Sequence, residues 1–346
     1  MTTTFSNTKI HNLSLHKVGN KQADEYLTLS NKELHLQEDV KEILNFYFTN
    51  AFKSQEYFNF YHETDLQYNE VYNYVSEIFQ NPETLLEQSQ NLAKHLYEQS
   101  THPKIKGGEF YTVYFKDCVI NGETVDAVGL FKSENKDTFL KVFPKDEGFE
   151  IESDKGININ KLDKGCLIFN TERENGYIVA VVDNTNKGVE AQYWTDDFLH
   201  IRQRKDEYYN TQNVMTLCKH FVKDELPQQF EVSKADQIDL LNKSVKFFKE
   251  KDNFNIDEFA NEVIGQPAVI ESFNNYKTRF SEDHGVEFSA EFTISDSAVK
   301  KQSRALKSVI KLDKNFHIYI HGDRNLIEQG EDMKGKFYKV YYEEEN

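Results

Sequence analysis

Apolar residues near the start of the chain fall at short intervals among polar ones. Ile10, Leu13, Leu15 and Val18 read as a strand, and Tyr26, Leu27 and Leu29 form a second brief apolar run. The period then lengthens. From Leu36 to Phe52 the positions Val40, Ile43, Leu44, Tyr47 and Phe48 recur at helical spacing, and Leu66 to Phe79 repeats the pattern with Val71, Tyr74, Val75 and Ile78. Asn81-Pro82 interrupts the chain. Asn81 suits an N-cap and Pro82 the first helical position of a segment running to about Ser100. Three successive helices are expected.

After Gly107-Gly108 the pattern turns to Phe110-Tyr111-Thr112-Val113-Tyr114-Phe115, rich in β-forming residues, and Asn121-Gly122 favours a tight hairpin before Val125 to Phe131. Phe139 to Phe143, Cys166 to Asn170 and Tyr177 to Val182 add strands, with a hairpin turn at Glu174-Asn175-Gly176. Residues 107 to 183 therefore read as an antiparallel sheet, with the three preceding helices covering one face of it.

Beyond Trp194 helical periodicity returns in Tyr208 to Leu226, stopped by Pro227, in Lys234 to Lys249, in Ile256 to Ile264 behind Asn255 or Asp257, and in Ala268 to Phe280, ended by Gly285. Ser295 suits the N-cap of an amphipathic helix within Ser295 to Asn315. Phe316 to Ile320 and Phe337 to Tyr342 alternate about the turn-rich Gly322 to Gly335 and read as a closing hairpin. The class is α+β. Residues 1–205 form an antiparallel sheet covered by helices, and residues 206–346 a mainly helical region closed by a small β-hairpin. The length of 346 residues agrees with two cores better than with one.

Composition adds limits. With 27 Phe and 19 Tyr against 5 Pro, the chain has the make-up of a globular protein. Cys118, Cys166 and Cys218 lie far apart among apolar neighbours and read as buried free thiols of a reducing compartment. No signal-peptide pattern opens the sequence and no run has membrane-spanning length, so a cytoplasmic protein without membrane attachment is expected. The net charge of −17 repels polyanions at long range, so any DNA contact must be local. Exposed aromatics could build a homodimer face, although sequence alone does not separate them from core aromatics.

Candidate chemistry is sparse. Neither Lys106-Gly107-Gly108 nor Asp163-Lys164-Gly165 sits in the spacing of a phosphate loop, and no zinc spacing occurs, so neither a cofactor nor a metal is called for. His317, His321 and Asp323 could approach a metal from one strand face, but packing residues account for them better. His62-Glu63 and Asp65 better suit helix capping, by Thr64 or Asp65, than catalysis. His95 and His102 have no neighbour in sequence that would fix a tautomer. Asp126 followed by Glu134 and Lys136 resembles a nuclease metal site, yet Glu134 and Lys136 fall in a polar turn. Positive charge gathers in one place: Lys300, Lys301, Arg304, Lys307, Lys311 and Lys314 oppose only Asp296 and Asp313, a face that could follow phosphates. Arg202, Arg204 and Lys205 form a smaller group at the expected junction, able to extend the patch only if folding unites them.

Four segments carry a family resemblance: Ile10-His11-Asn12-Leu13-Ser14-Leu15-His16, Gly156-Ile157-Asn158-Ile159-Asn160-Lys161-Leu162-Asp163, Phe254-Asn255-Ile256-Asp257-Glu258-Phe259-Ala260, and Lys307 to Leu312 leading into Phe316-His317-Ile318-Tyr319-Ile320. Together they resemble the bacterial nucleoid-associated protein family of the YejK/NdpA type, in a form typical of Bacteroidetes-like sequences, over nearly the whole chain. The resemblance implies a cytoplasmic protein on the nucleoid that associates with double-stranded DNA without enzymatic chemistry, and it carries over no active site. Strong acidity sets this chain apart from a DNA-coating protein. Beside direct backbone binding stand two other readings: an acidic adaptor that recruits a DNA-processing protein, and a metal-dependent nuclease that would depend on Asp126.

Overall fold

The computed structural model describes residues 1–185, 193–306, 309–320 and 324–344. The chain forms two compact units, Met1–Arg204 and Lys205–Asn346. In the first, the strands are β1 Thr3–Thr4, β2 Lys9–Val18, β3 Tyr57–Phe60, β4 Gly108–Ile120, β5 Glu123–Ser133, β6 Asp137–Lys145, β7 Gly148–Gly156, β8 Lys164–Phe169, β9 Ile178–Asp183 and β10 Ile201–Gln203. The helices are α1 Glu38–Thr49, α2 Glu70–Gln80 and α3 Leu85–Gln99. Among the described residues the main sheet runs β1-β4-β5-β8-β9-β3-β10, with β2 also paired to β4, and every ladder is antiparallel.

Asn121-Gly122 makes the β4–β5 hairpin, both residues at positive φ (51° and 82°), the backbone a two-residue turn of matching twist requires. Asn81 caps through its side chain with Pro82 in the first turn, as the sequence indicates. All six residues of β8 are buried, which requires cover on both faces of the sheet. Leu92 and Leu96 of α3 and Val75 and Ile78 of α2 pack with Phe110, Val128, Leu130 and Ile168 on one face. On the other, Tyr47 and Phe48 of α1 and Phe52 pack with Val113, Phe115, Phe131 and Leu167. The three helices thus divide between the faces instead of sharing one, because the strand runs are apolar on both.

Two strands depart from the expected meander. Among the described residues β6 pairs only with β7, a strand the sequence did not indicate, as a separate ribbon. The break falls where the chain leaves β5: the Glu134 and Asn135 amides both donate to Asp163 Oδ2, at 2.7 and 2.8 Å, and hold a polar turn there. β3 gives no periodic signal in its four residues and exists through remote pairing with β9 and β10. Gly176, at φ 87°, lets it approach; a Cβ there would lie 2.3 Å from the Phe60 carbonyl oxygen.

The second unit comprises α4 Glu207–His220, α5 Leu226–Gln229, α6 Lys234–Glu250, α7 Ile256–Phe259, α8 Pro267–His284 and α9 Asp296–Ser303, with strands β11 Asn253–Asn255, β12 Glu291–Thr293, β13 Val309–Leu312, β14 Phe316–Tyr319, β15 Ile327–Asp332 and β16 Gly335–Val340. Its core joins Leu217, Phe221, Leu241, Phe248, Phe254, Phe259 and Phe273. Ser233 and Asp236 form a reciprocal capping box at the start of α6, Asn255 caps α7, and Gly285 ends α8 in the left-handed conformation. Pro227 does not stop the preceding helix. A widened turn over Phe221–Glu225 joins α4 to α5, and Pro227 falls in the first turn of α5, where its missing N–H costs nothing.

The basic stretch is not one helix. α9 ends at Ser303, and β13 and β14 form a hairpin with Lys311 opposite His317. β-Branched Val309 and Ile310 and the turn at Asp313, φ 49°, favour that outcome over a continued helix. Phe316 to Ile320 accordingly pairs backwards, and β15 pairs with β16 to make the closing hairpin. The α+β class holds, with a small hairpin at the end of a mainly helical unit.

Candidate nucleic-acid interface

The β13–β14 hairpin sorts its side chains by face. Ile310 and Ile318 oppose each other and pack with Ala235 and Ile238 of α6 and with Ile327. Val309 opposes Tyr319 and Lys311 opposes His317 on the alternate face. Directly opposed side chains in such a ladder stand about 5 Å apart. The apolar face therefore anchors the hairpin on α6 and turns Lys311, His317 and Tyr319 outward, all three exposed.

These residues line a groove of about 780 Å³ whose other walls carry Lys223, Lys234, Gln237 and Arg304, with Ile238, Leu241 and Ile310 as its apolar part. Four cations, Lys223, Lys234, Arg304 and Lys311, oppose one carboxylate, Asp224. Lys223 sits in the widened turn and Lys234 in the first turn of α6. Partial burial, then the nearby charge of Lys219, holds the Lys223 ammonium below its ordinary value; Asp224 opposes this and Lys234 adds to it. Such crowding of like charge is relieved by a bound anion. The groove reads as an anion-facing surface on an acidic chain.

Of the residues expected to carry the contact, Arg304 and Lys311 line the groove. Lys300 and Lys301 are exposed at the end of α9, Lys301 over the Tyr208 ring at 5.6 Å, and Lys314 is exposed in the hairpin turn. Among the described residues no carboxylate pairs with Lys300, Arg304, Lys311 or Lys314. Lys307 lies outside the described residues, as do His321 and Asp323. Each member of the smaller group has a partner within the chain. Arg204 makes a two-pronged bond to Glu172 at 2.6 and 2.9 Å, Arg202 stacks 4.7 Å from the Tyr61 ring centre, and Lys205 pairs with Glu287 at 3.0 Å. Lys223 and Lys234 were not expected, since nothing in local spacing ties them to residues 304–311.

The other candidates resolve individually. Asp126 accepts from Lys116 at 2.6 Å and from the Tyr114 hydroxyl at 2.7 Å. It lies eight residues along β5 from Glu134, roughly 26 Å at ~3.3 Å per residue, so the two do not share a metal site. Asp65 caps the turn before α2 by accepting from the Gln67 amide at 2.9 Å. His95 and His102 do have partners, both backbone groups: His95 Nε2 meets the Phe198 carbonyl at 3.2 Å, and His102 Nδ1 accepts from the Lys104 amide at 3.2 Å. Among the described residues no three His, Cys, Asp or Glu side chains gather as metal ligands, and no helix is long and apolar enough to cross a membrane. The three cysteines are free and buried.

The profile of the family described as "Nucleoid-associated protein YejK" matches residues 14–345. The chain belongs to that family. A search of curated proteins found no match. Family membership accounts for both units at once, since the matched span runs from β2 through the closing hairpin. Its description names a nucleoid association.

Proposed function

We propose that this chain binds double-stranded DNA through the phosphate backbone, largely without reading sequence and without enzymatic chemistry, as a cytoplasmic protein on the nucleoid. The observation that carries the proposal is the meeting of Arg304 and Lys311 with Lys223 and Lys234 around one groove, on a chain of net charge −17. Lys300, Lys301 and Lys314 extend the contact on the neighbouring exposed surface. Cations so placed contact phosphates and release counterions, which gives affinity with little sequence information. Acidity elsewhere confines the contact to this face and opposes wrapping or coating.

The test is equilibrium binding of purified, nuclease-treated full chain to a short random-sequence duplex across a range of salt. Affinity falling steeply with salt supports the proposal. No binding even at low salt overturns it and favours the second reading, an acidic adaptor that recruits a basic DNA-processing protein. The acidity that limits direct DNA contact is what supports that second reading.

A further inference from the structure

Among the described residues, the β6–β7 ribbon carries an apolar face with no cover. Val142 opposes Ile151, Pro144 opposes Phe149 and Leu140 opposes Ser153, so these six residues share one face. Leu140, Val142, Phe149 and Ile151 are 68%, 61%, 75% and 67% exposed. The alternate face carries Phe139, 43% exposed, and two ion pairs, Lys141 to Asp154 at 2.8 Å and Lys145 to Glu150 at 2.5 Å. An isolated two-stranded ribbon is marginal in water, so an apolar face of this kind calls for an occupant.

Charge along the ribbon decides which. Asp146 and Glu147 make its tip. At its root Lys104, Lys106, Lys136 and Lys161 line a pocket of about 560 Å³ together with Glu134, Asp137 and Asp163, a small excess of positive charge in which Lys136 also pairs with Glu109 at 2.6 Å and Lys161 with Asp137 at 3.6 Å. Over residues 137–156 there are three Lys and six Asp or Glu, which excludes DNA as the occupant. An acidic tip and a lysine-rich root complement one object directly: the same ribbon turned end for end. Nine residues per strand span roughly 30 Å at ~3.3 Å each, enough for two ribbons to overlap from root to tip. At roughly 100 Å² per exposed side chain, the four large apolar residues present about 400 Å², the size of the largest apolar patch on a typical soluble monomer, which is often functional. Two copies cover about 800 Å² with these alone, and the seated tips bring the total toward the ~1,000 Å² of a specific interface.

We propose that two copies of this chain associate by stacking the apolar faces of their β6–β7 ribbons antiparallel, the Asp146-Glu147 tip of each seated at the lysine-lined root of the other. This pairing sets the bulk of Phe149 over the small Ser153 of the other copy. It is a closed two-fold contact and consumes the exposed face of both ribbons.

The test is sedimentation equilibrium of the full chain at micromolar to tens of micromolar concentration. The wild-type chain is expected to be dimeric. Val142→Asp with Ile151→Asp is expected to give monomers whose Trp194 fluorescence melt is unchanged, since both residues are exposed in a ribbon outside the main sheet. Asp146→Lys with Glu147→Lys is expected to weaken the dimer at least tenfold, and adding Lys106→Glu with Lys161→Glu to restore it. A monomeric wild-type chain, or a dimer indifferent to Val142→Asp with Ile151→Asp, overturns the proposal. So does a dimer that responds to those substitutions but not to the charge exchange, because the antiparallel seating is then wrong.

Discussion

The Lys132 ammonium lies 3.1 Å from the Glu134 carboxylate, with side chains 0% and 2% exposed. Glu134 also accepts from the Tyr193 hydroxyl at 2.8 Å, and Lys164, equally buried, is held by Asp183 at 2.8 Å. Two buried lysines are thus balanced by two carboxylates, and Glu134 reaches both, lying 3.9 Å from the Lys164 ammonium. Loss of one partner leaves a buried charge without compensation, at a cost of about 3–5 kcal/mol. Glu134→Ala is expected to lower the melting midpoint of the first unit, and Lys132→Met added to it to recover part of the loss. Trp194, the single tryptophan, is buried next to Tyr193 and reports this unit alone in a fluorescence melt. An unchanged midpoint in Glu134→Ala would show that the network contributes no stability.

His16 supplies an acid limit to the same unit. Its Nδ1 accepts from the Ser30 amide at 3.1 Å, so the proton of the neutral ring is on Nε2, which faces Ser89 Oγ at 2.8 Å; that hydroxyl donates onward to the Leu86 carbonyl. Burial lowers the imidazole from 6.5 to about 4. Between those values the unfolded chain holds the proton and the folded one does not, so stability rises with pH across that window and falls on acidification through it. The difference amounts to at most about 3 kcal/mol at the acid end, at ~1.4 kcal/mol per pH unit. In His16→Gln the Trp194-monitored stability is expected to fall less between pH 6.5 and pH 4 than in the wild-type chain. Parallel pH profiles for the two proteins would refute the assignment.

Gly176 fixes where β3 docks. At φ 87°, with a Cβ contact of 2.3 Å to the Phe60 oxygen, Gly176→Ala forces strain onto the hydrogen bond that the Phe60 amide gives the Gly176 carbonyl at 2.8 Å. The expected result is faster amide exchange across residues 57–60 and 201–203, with exchange in β4 and β5 unchanged. Uniform protection in both regions would mean that the strand adjusts without strain.

What the sequence disclosed follows the range of the forces involved. β2, β4, β5, α2, α3 and α6 were legible because period, cap and turn residues lie within a few positions of each other, as with Asn81-Pro82 and Asn121-Gly122. β3 was not, because its partners are more than a hundred residues away. The basic stretch is visible as composition, but its shape is not: the Ser295 cap and apolar positions such as Ala298, Val299 and Leu306 suit a helix, and β-branched Val309 and Ile310 end it. Lys223 and Lys234 join Arg304 only through tertiary packing, which no local spacing reveals.

Arg204 and Lys311, both expected from sequence to meet DNA, should separate by experiment. Arg204 is committed to Glu172. Arg204→Gln is therefore expected to cost about 1 kcal/mol of stability in the first unit and to leave the salt dependence of DNA binding unchanged. Lys311 is exposed beside the groove, with no carboxylate partner among the described residues. Each phosphate contact contributes about 0.9 to the slope of log affinity against log salt. Lys311→Gln with Arg304→Gln is expected to reduce the slope by about 2 and to weaken binding alike on different duplex sequences, with no change in folding. A slope that responds to Arg204 and ignores the groove pair would move the DNA contact to the first unit.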